Sequence, residues 1–545
     1  MSIPVFDGDA IDLHINPTKY HSGGLVAGLN GGLVTWALNV GVAGRAVVYG
    51  SSVMRGIDTV AHDLGPAAAL SLNIRAKPTY VLDLDQLSNG NVMVSWIEQP
   101  LRAPGSASFY RMYTADGHAL GPKTEISGGS GGWNTQHVTA LADGGFCSIT
   151  SRYQNGQNDA MVQVFDADGT ATGPAFRMNP TLPGDQGAVG VADLGGGKLL
   201  ALWEDRLDSG ATPIMGRVFT TAGVGQGKAF VITQTPVESY LTDMHTTALT
   251  NGDVVVTWSI NSIPDTALDT LHGRVFHPDG IPVGDELTIA TAMGPDSVGL
   301  GLESASLAAL KDGRWMAAWE DHRTDAQSNH SSQIFGCIYN ADGSVAVADF
   351  DLAPGHINVG EPELVVLADG RVAVHYDSGS PGSGFAHAFV QIIDPRLAAV
   401  SLTGSAGGDQ FQGTGFGDTI SGGNGQDELA GMGGDDLLNG GAFGDSLLGG
   451  LGNDTLIGLA GDDLLTGGLG RDSFVFAAGA GADRITDFKP GQDRLDLHAF
   501  HFASSTDALS HVTQTAEGAQ FAMGGDTFLL LAVTAADLGE TSLIL

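Results

Sequence analysis

Two cysteines in 545 residues is the first shortage. Cys147 and Cys337 stand far apart and no CxxC occurs, which excludes a disulfide framework and a cysteine zinc site and leaves two free thiols. Basic residues are the second shortage: 24 Lys and Arg face 61 Asp and Glu, a formal charge of −37. Binding to nucleic acid rests on Lys and Arg that neutralise phosphates, so this surface excludes nucleic acid and anionic lipid and favours cations. No stretch reaches the roughly 18 apolar residues of a membrane span. The opening Met1-Ser-Ile-Pro-Val-Phe-Asp-Gly-Asp has no basic n-region and no apolar h-region, so neither membrane insertion nor Sec export is expected. Helical periodicity is almost missing too, which points to an all-β chain. What abounds is glycine, 81 residues, inside a 42% apolar composition that is ample for a core.

Residues 404–475 read as eight uninterrupted nonapeptides: GSAGGDQFQ, GTGFGDTIS, GGNGQDELA, GMGGDDLLN, GGAFGDSLL, GGLGNDTLI, GLAGDDLLT and GGLGRDSFV. The sixth position is always aspartate: Asp409, Asp418, Asp427, Asp436, Asp445, Asp454, Asp463 and Asp472. The eighth is always large and apolar: Phe411, Ile420, Leu429, Leu438, Leu447, Leu456, Leu465 and Phe474. Each glycine-rich half predicts a tight turn, and the three residues after each aspartate predict a short strand with one side chain inward. Stacked coils of this kind bury a thin apolar ladder and hold successive carboxylates about 4.8 Å apart, one strand spacing. The segment has eleven carboxylates and one base, Arg471, giving 1 − 11 = −10 over 72 residues; without a counter-ion these repel. Calcium accepts about six to eight oxygen ligands, and turn carbonyls with one aspartate per turn supply oxygen alone, whereas octahedral magnesium fits such a groove less well. A low-complexity tract does not hold two positions in register through eight repeats.

These repeats resemble the calcium-binding nonapeptides of RTX (repeats-in-toxin) proteins, which form a parallel β-roll. The fourth position departs from the family pattern at Phe416 and Phe443, so those two turns are expected to bind calcium weakly or not at all. The following stretch, Phe474 to Leu497, is similar to the segment that closes the roll in serralysin-type proteins, and the ending Glu540-Thr-Ser-Leu-Ile-Leu is similar to the family's acidic-then-apolar terminus. The resemblance implies secretion to an extracellular or cell-surface location by a type I system, with an uncleaved C-terminal signal, and Ca2+ as the cofactor. Capping of the roll is an alternative role for the same segment, compatible with export. No HExxH occurs, so the protease activity of serralysins does not carry over.

Upstream a longer unit recurs seven times, with its first turn at Gly31, Gly90, Gly144, Gly196, Gly252, Gly313 and Gly370, a mean period near 56. Units after the first read as two hairpins, as in Leu249-Thr-Asn-Gly-Asp-Val-Val-Val-Thr-Trp258; Asn-Gly and Asp-Gly between alternating strands are strong hairpin signals. Four strands in each of seven units predict a seven-bladed β-propeller. The fold class expected is therefore all-β, a seven-bladed β-propeller followed by a calcium-binding parallel β-roll. Its expected organisation is a closing strand in 1–18, the propeller in 19–398, the roll in 399–476, and a capping and secretion segment in 477–545.

Trp36, Trp96, Trp203, Trp258, Trp319 and Tyr376 end the second strands, a ring that reads as inter-blade packing before it reads as a sugar platform. The loops beyond begin with Glu204-Asp205-Arg206 and Glu320-Asp321-His322-Arg323, either a polar recognition or cation site or solvated ion pairs. Asp83, His137, Gly190, His245, Ser306 and Glu363 share one register of the first strands. Asp83, His137, His245 and Glu363 are thus candidates for a metal or acid–base set on the upper face, against the alternative of satisfied structural polar groups. The lone GxSxG, Gly128 to Gly132, has no helix after it and is no nucleophile elbow. No catalytic residue is assigned. Three readings stay open for the propeller: a module binding an extracellular glycan, matrix or surface component, a hydrolase or polysaccharide lyase, and a cell-surface assembly unit.

Overall fold

The computed structural model describes residues 386–545 without a break, and upstream the strands from Val5 to Gly379 with most of the tight turns between them; before Leu87, and at several later strand ends, it describes backbone alone. The N-terminal part forms six four-stranded antiparallel sheets and one five-stranded sheet. Their first strands are Tyr20–Ala27, Thr79–Gln86, Gln136–Ala140, Asp185–Gly195, Ser239–Ala248, Leu302–Ala309 and Val359–Val366. Each packs against the next and the last against the first, so the seven sheets close a ring. This is a seven-bladed propeller. The strand Val5–Asp12 pairs antiparallel with Ala386–Asp394 and is the outer strand of the seventh blade, joining the two ends of the propeller.

The tight turns explain why the period holds. In the turns at Gly144, Gly252, Gly313 and Gly370 the glycine has φ between 88° and 96° and its N–H donates to the leucine three residues back. That backbone excludes most side chains, which fixes where each hairpin reverses. Between blades the core is apolar. Trp203 packs with Ile149 and Val162 of the third blade, Trp258 with Leu200 and Leu202 of the fourth, and Tyr376 with Met316 and Ile338 of the sixth. The aromatic ring is thus inter-blade packing at these positions, as the repeat of a large apolar residue implies.

From Ser401 the chain changes to two sheets, of seven and eight strands, parallel except for the last two pairings of the larger one within the C-terminal cap, and their neighbours lie mostly 18 residues apart in sequence. One coil is therefore two nonapeptides. Pairing in register sets Ile420, Leu438, Leu456 and Phe474 in one row, and Phe411, Leu429, Leu447 and Leu465 in the other. Both rows belong to a single core that runs on through Phe476, Ile485, Phe488 and Leu495 into the C-terminal cap, where Phe476 and Phe528 stack at 4.1 Å. The cap thereby supplies the apolar area that one residue per nonapeptide cannot.

The seventh blade meets the first coil through a charged joint. Arg371 and Asp369, both fully buried, pair at 2.7 Å; Arg371 Nη1 donates to Gln412 Oε1 at 2.5 Å, and Gln412 N donates to Asp369 Oδ2 at 3.1 Å. Arg396 donates to the Gln412 carbonyl at 2.6 Å. These residues surround the Asp-Gly turn of the blade, so the roll is attached on the turn side of the ring, opposite the loops that follow the second strands.

Candidate metal column and propeller face

The eight repeat aspartates form two buried columns. Each backbone N–H donates to the Oδ1 of the aspartate one coil further on: Asp409 to Asp427, Asp427 to Asp445 and Asp445 to Asp463 in one column, Asp418 to Asp436, Asp436 to Asp454 and Asp454 to Asp472 in the other, at 2.7–3.1 Å. All eight are 1–3% exposed. The other oxygen, Oδ2, points at the glycine that opens the same repeat. A Cβ on Gly422, Gly431, Gly440, Gly449, Gly458 or Gly467 would lie 2.1–2.4 Å from it, which is why that position tolerates no side chain.

In Asp427, Asp436, Asp445, Asp454, Asp463 and Asp472 this buried Oδ2 has no hydrogen-bond partner. An ionised oxygen in that state is unfavourable by more than the roughly 1–3 kcal/mol of a neutral orphan. That is as much as burying one ladder leucine contributes, about 1.5–3 kcal/mol. Burial, with the neighbouring column carboxylates adding to it, accordingly raises Asp436 and Asp445 to about 7 and Asp472 to about 6. A cation removes the conflict. The donor set suits a hard one: at Gly431 the same spot is approached by Asp436 Oδ2 and by the Gly449 carbonyl of the next coil, so oxygen alone is offered. Among the described residues no group of three or more His, Cys, Asp or Glu side chains is arranged to hold a metal, so a cation in the column would have to be held by these aspartates together with turn carbonyls.

Both columns extend one rung beyond the repeats. Asp463 N donates to Asp483 Oδ1 at 3.0 Å and Asp472 N to Asp493 Oδ1 at 3.1 Å. Sequence reading missed these rungs because their spacings are 20 and 21 residues. The Gly491-Gln-Asp493 ending, with its Gly-x-Asp pattern, was the available signal.

On the propeller, five of the register-sharing residues pair with the position just before the second-strand aromatic: Asp83 with Ser95, Gly190 with Leu202, His245 with Thr257, Ser306 with Ala318 and Glu363 with His375. His137 pairs with Ile149 in the same place. In each of these blades except that of His137 a β-bulge immediately precedes the residue. The side chains of Asp83 and His137 lie outside the described residues. Ser306 Oγ accepts Leu364 N of the next blade at 3.1 Å, so this position can serve blade contacts. His245 and Glu363 stand on first strands separated by that of the sixth blade.

The loop acids divide. Asp205 is buried and accepts from Gln186 Nε2 at 3.2 Å, in a chain that continues through Asn179 to Asp159 and Arg177. Glu204 pairs with the exposed Arg206 at 3.1 Å. Asp321 is buried. Glu320 lies 3.2 Å from His322 Nε2 and accepts Glu361 N at 3.2 Å from the seventh blade. Glu361 has φ 53°, a left-handed backbone at a non-glycine residue. Beside it, burial pushes Asp377 up to about 7, and the Glu361 and Glu320 carboxylates add to the rise. Glu361 escaped sequence reading because no periodic signal marks a residue brought in by a bulge, whereas Asp377 follows Tyr376 as Glu204 follows Trp203 and Glu320 follows Trp319, a register that was available in the sequence.

Residues 418–527 match the family model described as Peptidase M10 serralysin C terminal. The C-terminal region is thus of the serralysin, repeats-in-toxin type, and the match leaves the propeller outside it. No curated protein matches the chain. Among solved structures, it is similar to a protein of unknown function from Dyadobacter fermentans, at 15% identity over 59% of this chain and 96% of that one, TM-score 0.39. It is similar to the α-L-arabinanase of Penicillium chrysogenum complexed with arabinobiose, at 15% identity over 58% and 93%, TM-score 0.38. It is also similar to polysaccharide lyase Uly1, at 9% identity over 72% and 92%, TM-score 0.43.

Proposed function

We propose that this chain is a secreted protein whose roll orders on calcium outside the cell and whose propeller binds an extracellular partner such as a glycan, matrix or cell-surface component. The observation that carries the calcium reading is the set of six buried Oδ2 atoms without a donor. Where free calcium is scarce the acidic roll stays unfolded and can be threaded through a type I system; outside, binding to the folded form stabilises it by RT ln(1 + [L]/Kd) per site. Extracellular modules with Kd of about 10⁻⁴ to 10⁻³ M switch between those two conditions. The joint at Asp369 and Arg371 ties the roll to the turn side of the ring, which leaves the opposite loops open to a partner, and loops on a rigid scaffold commonly carry recognition. The test is the full chain on a glycan and matrix-component array, with millimolar calcium and with EGTA. Calcium-dependent capture is expected; no capture in either condition contradicts the binding role.

A second reading, a hydrolase or lyase, is favoured by one observation: Asp377, raised to about 7, stands with the Glu361 and Glu320 carboxylates. Such a carboxyl can hold a proton near neutrality while its neighbours are ionised, as an acid–base pair requires. Turnover on a polysaccharide panel that disappears in a folded Asp377→Ala variant supports this reading, and absence of turnover by the unmodified chain removes it.

A further inference from the structure

Apart from the longer turn at Asp483, the roll has nine turns that end in a column aspartate, and they are of two kinds. In the six ending at Asp427, Asp436, Asp445, Asp454, Asp463 and Asp472, the residue four before the aspartate is Gly423, Met432, Gly441, Gly450, Leu459 or Gly468, with φ between 70° and 118°. These are the six turns whose Oδ2 lacks a donor, the Phe443 turn among them although its fourth residue suggested weak binding, whereas the Phe416 turn is one of the three others. In the three remaining turns that place is taken by Ser405, Thr414 and Lys489, whose φ is not positive. There the backbone N–H donates straight to Oδ2: Ser405 to Asp409 at 2.6 Å, Thr414 to Asp418 at 2.5 Å and Lys489 to Asp493 at 2.7 Å.

The side chain at this position adds to the closure. Thr414 Oγ1 donates within 3.1 Å of both Asp418 oxygens, Ser405 Oγ lies 3.3 Å from Asp409 Oδ1, and the Lys489 ammonium donates to the Gly468 carbonyl at 2.5 Å. A positive φ turns the N–H away and leaves the carboxylate oxygen facing inward alone; an ordinary φ turns the N–H in and satisfies it. Met432 and Leu459 hold the open form although they carry a Cβ, so inside the column the stacking of neighbouring coils, and not glycine alone, sets the conformation. The closed turns sit at the two ends, one pair beside the propeller joint and one against the C-terminal cap.

We propose that only the six interior turns take calcium, and that the three end turns close on the chain's own donors, with the backbone angle of the residue four before each column aspartate deciding between the two states. This rests on the calcium reading above. It makes the ends metal-independent supports, and calcium fills the span between them.

The test is the number of ions bound by the full chain in equilibrium dialysis with calcium alone. Thr414→Gly is expected to bind one ion more than the unmodified chain, and the double variant with Asp418→Asn to return to its count. Lys489→Gly, at the other end, is expected to gain one ion independently, so a folding failure at one end leaves the other decisive. Asp418→Asn alone is expected to leave the count unchanged, whereas Asp454→Asn lowers it. If Thr414→Gly and Lys489→Gly keep the original count, or Asp418→Asn loses an ion, the two-state assignment is overturned while calcium binding stands. An unmodified chain that binds none overturns both.

Discussion

In the propeller three buried carboxylates meet donors from the chain itself: Asp369 meets Arg371, Asp159 meets Arg177 and Asn179, and Asp205 meets Gln186. In the roll six buried carboxylates each keep one oxygen that meets none. Both regions are repeats stacked on an apolar core, yet these propeller carboxylates are satisfied within the chain, whereas on the proposed calcium reading a cation would satisfy those of the roll. The difference follows from core width. A propeller blade buries several large side chains against its neighbour, as Trp203 and Trp258 do, and can carry a few paired charges inside. A nine-residue unit buries one, and places a charge beside it every time.

The largest effect is expected where the two regions join. Arg371→Ala leaves Asp369 buried with backbone donors alone and no guanidinium partner, and removes the side-chain bond to Gln412 Oε1; breaking a buried pair destabilises by about 3–5 kcal/mol. Thermal unfolding should show the loss in both regions, and a loss confined to the roll would mean that the joint does not support the seventh blade. Next is the ladder. Leu456→Ala opens a cavity between Leu438 and Phe474, about 3 kcal/mol for a buried leucine, read as a higher calcium concentration needed to order the roll, with the propeller transition unmoved.

The two regions should also part in their response to pH. Asp436 and Asp445, raised to about 7, and Asp472, raised to about 6, bind protons in the folded roll that an unfolded aspartate, near 3.9, has released. Between about pH 4 and 7 the metal-free folded state thus holds the extra protons, so its stability is greatest in acid and falls as pH rises through the folded values. In EGTA the roll should gain β structure on acidification from pH 8 to 5, followed by circular dichroism, and its half-saturating calcium should increase as pH falls. Opposite slopes would show that the column aspartates are not raised. The smallest effect belongs to the propeller surface: Arg206→Ala removes an exposed pair with Glu204 and should shift stability by less than about 1 kcal/mol.

Much of this architecture was legible because both repeats write their turns in glycine. The seven first turns, from Gly31 to Gly370, give the blade count, and the nonapeptide frame gives the two-sided coil. Chemistry was legible where a residue type recurs at fixed spacing, as the column aspartates do. It was hidden where conformation breaks the period. Asp483 and Asp493 join the columns after insertions. Glu361 is presented by a bulge. The second repeat position divides open turns from closed ones by backbone angle, and residue type does not announce it: Met432 and Thr414 occupy the same place with opposite results.

The most direct measurement is amide hydrogen exchange on the full chain in millimolar calcium and in EGTA. The column amides of Asp427, Asp436, Asp445 and Asp454 should be protected in calcium and exchange freely in EGTA, while blade amides such as those of Leu200, Val255 and Ala317 stay protected in both. Equal protection of the column amides in the two conditions would contradict the claim that a cation completes the roll.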